Sequence, residues 1–147
     1  MNRKIFSVAL CALLLALSFS SEAQQAAKIS RIGYLEAPPA SANLDRIEAF
    51  RQGLRELGYV EGKNIVIEWR SAEGKVDRLP ALASELVRLK VDIIVTNGPT
   101  STRPAKEATV TIPIVMAQDN DPVGNGFVAS LARPGGNITG LATLARS

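Results

Sequence analysis

Beyond its first residues the chain alternates between two hydrophobic rhythms. Short apolar or alternating runs occur at Ile29–Leu35, Asn64–Arg70, Val91–Gly98 and Ile112–Ala117. Between them lie longer stretches whose apolar residues recur at three- and four-residue steps. The short runs predict β-strands and the longer stretches predict amphipathic helices. In the first helix the stripe is Leu44, Ile47, Phe50, Leu54 and Leu57, and Gly58 is placed to end it as a left-handed cap. Gly53 lies inside that helix, at a cost of about 1 kcal/mol relative to alanine, and is read as allowing close packing on a sheet. The second helix spans Val76–Lys90, with Leu79, Leu82, Leu86 and Leu89 as its stripe and Asp77 favouring its start. Pro80 is compatible with it only in the first turn.

The run Val91–Gly98 is almost wholly apolar, as suits a central parallel strand buried on both faces. Asn64–Arg70 has one wetter side, which suits a strand near an edge. A third helix is predicted over Thr100–Val110, with Thr100 or Ser101 as its N-cap. After the strand at Ile112–Ala117 comes a turn-rich loop, then a short helix at Phe127–Ala132. Arg133–Asn137 ends that helix, and Ile138–Leu144 reads as a further strand. Regular alternation of strand and helix predicts an α/β fold: a parallel sheet flanked by helices and joined by right-handed crossovers.

Residues 1–23 follow another pattern. Asn2–Lys4 carry two positive charges, Ile5–Phe19 form an apolar run, and Ser21 and Ala23 are small residues at the spacing of a cleavage site. This is the layout of a secretory signal peptide, shorter than the roughly 20 residues that a bilayer span needs. The expected division is a signal peptide at 1–23 and one α/β domain at 24–147, exported to the periplasm and not held in the membrane after cleavage. Cys11, the one cysteine, sits in mid-run behind Leu10, so it does not form a lipoprotein attachment site. The exported part then contains no cysteine and needs no disulfide.

Composition narrows the function. Apolar residues make up 46% and charged residues 21% of 147, which is globular composition. The net charge of +3 is scattered, with no basic block to suggest a nucleic-acid partner. No histidine is present, which removes the commonest general base, and no serine–lysine or paired-carboxylate spacing replaces it, so no enzyme activity is expected. Asp119–Asp121 resembles the start of a calcium loop, but Val123 and Ser130 stand where an EF-hand needs oxygen ligands. Gly124 and Gly126 lack the third glycine of a dinucleotide fingerprint. No metal or cofactor is expected.

Binding has better support. In open α/β sheets ligands lie beyond the carboxyl ends of the strands. The loops leaving the first, third and fourth strands are polar and rich in glycine and proline: Glu36–Pro39, Asn97–Thr102 and Gln118–Pro122. The second runs into a helix start, where free N–H groups favour an anion such as a carboxylate. The candidate ligand residues are Glu36, Asn97, Gly98, Thr100, Ser101, Asp119 and Asp121. Glu36 and Asp119 suit a ligand amine or hydroxyl, while Thr100 and Ser101 suit a carboxylate. Trp69 is read as packing, and Tyr34 as facing either core or cleft.

The segments "RIGYL", "FRQGLRELGYVEGKNIVIEWR", "RLPALASELVRLKVDIIVT", "AKEATVTIPIVMA" and "DPVGNGFVASLARPGGNITGL" resemble, in that order, the bacterial ABC-transporter substrate-binding proteins of the tryptophan/tyrosine-type group. The resemblance implies a periplasmic binding protein-like fold of type I, with two flavodoxin-like lobes around a ligand cleft. It implies a small solute, in some members an aromatic amino acid, and an ABC permease in the inner membrane as partner of the full-length protein. Family members continue past the motif matching Gly135–Leu141 into a second lobe, so this sequence corresponds to the first lobe, truncated before the second, and supplies one wall of the cleft. A ligand-sensing module on the same scaffold and an inactive truncated fragment remain open as alternatives.

Overall fold

The computed structural model describes residues 28–143. The expected signal peptide lies outside the described residues. Strands β1 (Ser30–Glu36), β2 (Ile65–Ser71), β3 (Ile93–Thr96) and β4 (Ile114–Asp119) alternate with helices α1 (Leu44–Glu56), α2 (Leu79–Arg88) and α3 (Pro99–Ala108), and β5 (Ile138–Ala142) follows β4 with no helix between them. Single 3-10 turns at Ala40–Asn43 and Val76–Arg78 lead into α1 and α2. The strands form one sheet in the order β2-β1-β3-β4-β5. Every pairing is parallel, with Tyr34 opposite both Trp69 and Val95, and Thr96 opposite Met116.

Sheet order determines where the helices go. The chain leaves β1 in one direction to form β2, then returns across β1 to form β3. Right-handed crossovers therefore put α1 on one face and α2 and α3 on the other. The larger core lies under α2 and α3, where Leu35, Leu79, Leu82, Leu86, Ile94, Ile114 and Met116 are buried together. On the α1 face Tyr34, Ile65, Ile67 and Val95 are buried, with Phe50, Leu54 and Trp69 packed against them. Trp69 is part of an aromatic cluster, its ring centroid 4.8 Å from Tyr34 and 6.2 Å from Phe50. Its indole N–H donates to Glu61 at 2.8 Å, and the Arg51 guanidinium lies 4.8 Å from its ring. Tyr34 is thus a core residue, 3% exposed.

Local signals explain the element ends. Pro80 falls in the first turn of α2, where its missing N–H is harmless. After α1, Gly58 takes a left-handed φ of 87°. Its N–H bonds to Arg55 and that of Tyr59 to Leu54, closing a Schellman motif.

Three expectations need correction. Gly53 does not approach the sheet: it is exposed, and an added Cβ would meet nothing within 4 Å. Thr100 and Ser101 do not cap α3, which begins earlier, with Gly98 as N-cap residue and no side-chain cap bond. Phe127–Ala132 is irregular chain with several bends and not a helix. Phe127 and Val128 are adjacent yet both buried, and both donate N–H to the Pro122 carbonyl, at 2.9 and 3.3 Å. Ala129 donates instead to Pro134, and the Ser130 hydroxyl bonds the backbone of Arg133. These local bonds compete with a helix too short to nucleate.

The last strand depends on one glycine. Gly140 has φ 151°, and a Cβ there would lie 2.2 Å from the Met116 carbonyl oxygen of β4. Gly140→Ala should therefore destabilise the chain by about 2 kcal/mol or more in chemical denaturation, through loss of the β4–β5 pairing. Gly53→Ala should act oppositely, adding about 1 kcal/mol and raising the thermal midpoint by about 4 °C. A midpoint unchanged or lowered by Gly53→Ala would contradict the placement of that residue on an open helix face.

Candidate solute-binding cleft

All five strands run the same way, so the chain leaves β1, β3 and β4 at one edge of the sheet. These three strands are also neighbours in the sheet, so the three loops come together. They enclose a cleft of about 310 Å³. Ala37, Pro38, Asn43 and Arg46 line it from the first connection, Asn97, Gly98, Pro99 and Thr100 from the second, and Gln118, Asp119 and Asn120 from the third. The cleft lies at the switch point between β1 and β3, the position physically favoured for ligands in such sheets.

The second loop is the most constrained. Gly98 has φ 82° and ψ 169°, a conformation open essentially to glycine alone. Its N–H donates to the Gln118 carbonyl at 3.2 Å, which ties this loop to the end of β4. Pro99 then opens α3 at the position where a missing N–H costs nothing. Ser101 is buried, and its hydroxyl accepts from the Asn97 N–H at 3.1 Å and reaches the Asn97 carbonyl at 2.9 Å. Thr102 donates to the Gly98 carbonyl at 2.8 Å and meets the Thr96 hydroxyl at 2.7 Å. These bonds hold the N-terminus of α3 open to the cleft, with the Thr100 and Ser101 amides in the turn that has no intrahelical acceptors.

The candidate residues therefore take different places. Asn97, Gly98, Thr100 and Asp119 line the cleft. Ser101 stands behind it, its hydroxyl bonded within its own loop. Glu36 is buried beneath the first loop, where its carboxylate accepts from the Asn43 side-chain amide at 2.8 Å. It holds a lining residue and does not line the cleft itself. Asp121 is exposed beyond the rim and accepts the Gly124 N–H at 2.8 Å, shaping a turn. The sequence reading missed Asn43 and Arg46. The signal available for them was geometric: α1 starts at the same sheet edge as α3, so its first-turn polar residues share the cleft.

Arg46 and Asp119 are the two ionisable side chains of the lining, one of each sign. Arg46 reaches the Asn97 side-chain carbonyl at 3.4 Å, bridging the first and second loops. Asp119 is 1% exposed. Its Oδ1 accepts from the Asp121 N–H at 2.8 Å and the Asn125 side-chain amide at 3.0 Å. Its Oδ2 is buried without a hydrogen-bond partner, alone among the buried side-chain polar atoms of the described residues. An unsatisfied buried acceptor costs about 1–3 kcal/mol. Beneath the cleft, burial raises the pKa of the Tyr34 phenol, the Glu36 charge raises it further, and Arg46 opposes both. Tyr34 thus stays a neutral phenol. Among the described residues no three His, Cys, Asp or Glu side chains converge on a metal position.

Known proteins resemble this chain in sequence and in fold. A family model described as ABC transporter substrate binding protein matches residues 35–146. A tyrosine-binding protein of Clostridioides difficile is 37% identical over 99 residues, which cover 67% of this chain and 29% of that protein. A ligand-free, open structure of a substrate-binding protein with adhesive properties from Clostridium difficile superposes with a TM-score of 0.74 at 28% identity. It is matched by 80% of this chain, which spans 40% of its length. An ABC domain from Streptococcus pneumoniae, solved in complex with L-Trp, gives a TM-score of 0.71 at 27% identity, over 77% of this chain and 38% of that one. The described residues thus correspond to one α/β unit of these longer proteins. With a family match over most of its length, and with the loop cleft at the switch point of its sheet, this chain belongs to the ABC transporter substrate-binding protein family.

Proposed function

We propose that the chain supplies one wall of the ligand cleft in an extracytoplasmic solute-binding protein, which delivers a small solute of amino-acid class to an ABC permease in the inner membrane. The convergence of the β1, β3 and β4 loops on one cleft carries this reading, because it brings a cation, an anion and a helix N-terminus within reach of a single small molecule. The amino-acid class draws on the tyrosine and L-Trp named for two relatives. Binding, and not catalysis, fits the lining, which has amides, a hydroxyl and one charge of each sign but no nucleophile–base pair. Residues 1–23 serve as the export signal, and the solute is met in the periplasm. No helix among the described residues is long and apolar enough to cross a membrane.

The site is tested by titrating the isotope-labelled chain with L-tyrosine and L-tryptophan and following backbone amides by NMR. Shifts should concentrate at Asn97–Thr100 and Gln118–Asn120. Saturating amino acid that moves no amide of these loops, in a well-dispersed spectrum, would contradict the assignment. The export signal is tested by expression in a Gram-negative host. The periplasmic product should begin at Gln24; a product retained in the cytoplasm with residues 1–23 intact would refute the leader.

A further inference from the structure

Five buried polar side chains near the cleft and in the core, those of Glu36, Thr96, Ser101, Thr102 and Thr109, have hydrogen-bond partners. Asp119 is the exception. One oxygen is held by two donors while the other meets none. The two bonds on Oδ1 prevent the carboxylate from turning to relieve Oδ2. Asp119 takes part in none of the ion pairs among the described residues, whose acids are Asp92, Glu48, Glu61, Glu68 and Glu85. The residue lies at the end of β4, where the pairing with β5 is irregular between Met116 and Asp119, and its carbonyl is tied to the Thr143 N–H at 2.8 Å. The strand end therefore holds an acidic group rigidly at the cleft wall with half of its accepting capacity free. The side chains beside it in the lining, Gln118 and Asn120, are exposed and can yield to an incoming group.

We propose that Asp119 sets the charge specificity of the cleft: its free Oδ2 accepts an N–H from the ammonium group of the solute. This rests on the solute-binding reading above and adds to it the residue that decides between amines and their uncharged counterparts. A charged donor is favoured over a neutral one because the acceptor is itself charged and shielded from water, where such bonds are strongest. The other lining charge, Arg46, and the N-terminus of α3 then lie on the side that suits an anion.

The test compares L-tyrosine with desaminotyrosine, the same molecule with hydrogen in place of the ammonium group, on the wild-type chain and on Asp119→Asn. Asparagine keeps an oxygen for the Asp121 and Asn125 donors but puts an N–H₂ where Oδ2 stood, turning an acceptor into a donor. The wild type should prefer L-tyrosine by about tenfold or more, and Asp119→Asn should abolish that preference while keeping a dispersed amide spectrum. A wild type that binds both compounds equally refutes the role of Asp119 and leaves the cleft assignment standing. So does an Asp119→Asn chain that keeps the preference. A wild type in which neither compound moves the Asn97–Thr100 amides refutes the solute reading, and the role of Asp119 with it. Should Asp119→Asn fail to fold, the wild type still decides: the Asp121 N–H and the Asn125 side-chain amide, both bound to Asp119 Oδ1, should shift with L-tyrosine and not with desaminotyrosine, and equal shifts with both refute the role of Asp119.

Discussion

Everything that distinguishes this chain follows from the reversal of strand order beside β1. A parallel sheet puts the carboxyl ends of all its strands at one edge, and a chain that winds first one way and then the other places helices on both faces. Between the starts of α1 and α3 the connections diverge, and nothing fills the space between them. That space is the cleft of about 310 Å³. Its position needs no specific side chain. What the residues add is the shape of the loops and the charges that stand on them.

The loops keep their shape by satisfying their own polar groups. The Ser101 hydroxyl closes the turn at Asn97, Thr102 closes that at Gly98, and Glu36 grips Asn43 from below. Gly98 links two of the three loops through its bond to Gln118. The polar side chains that this framework turns to the cleft include Thr100, Asn97 and Arg46, the last two joined only by a long bond of 3.4 Å. Asp119 stands apart because it is rigid, charged, buried and only half satisfied. The same residues that make the edge a stable structure thus leave a small set of groups free to recognise a solute.

Most of the fold was legible because periodicity reports burial. Strands β1 to β4 lie where apolar runs predicted them, and β2 is the edge strand that its wetter face suggested. The stripe of α1 was read too generously: Ile47 is buried, but Leu44 and Leu57 are 63% and 74% exposed at its ends. Phe127–Ala132 was misread because six residues hold too little pattern to separate a helix from irregular chain, and the bonds to Pro122 and Pro134 decided the matter. The site was legible at the level of loops. Composition does not reveal that Ser101 and Glu36 face inward to support the wall, or that Arg46 reaches over from α1 to Asn97. Such roles depend on where a side chain points once the helix has docked.

The central claim is that a solute binds at the edge formed by the β1, β3 and β4 loops. Its most direct test is a crystal structure of the chain grown with L-tyrosine. The account predicts ligand density between Arg46 and Asp119, touching Asn97 and Thr100. Density seated elsewhere, for instance beside the aromatic cluster of Tyr34, Phe50 and Trp69, with the loop cleft empty, would contradict it.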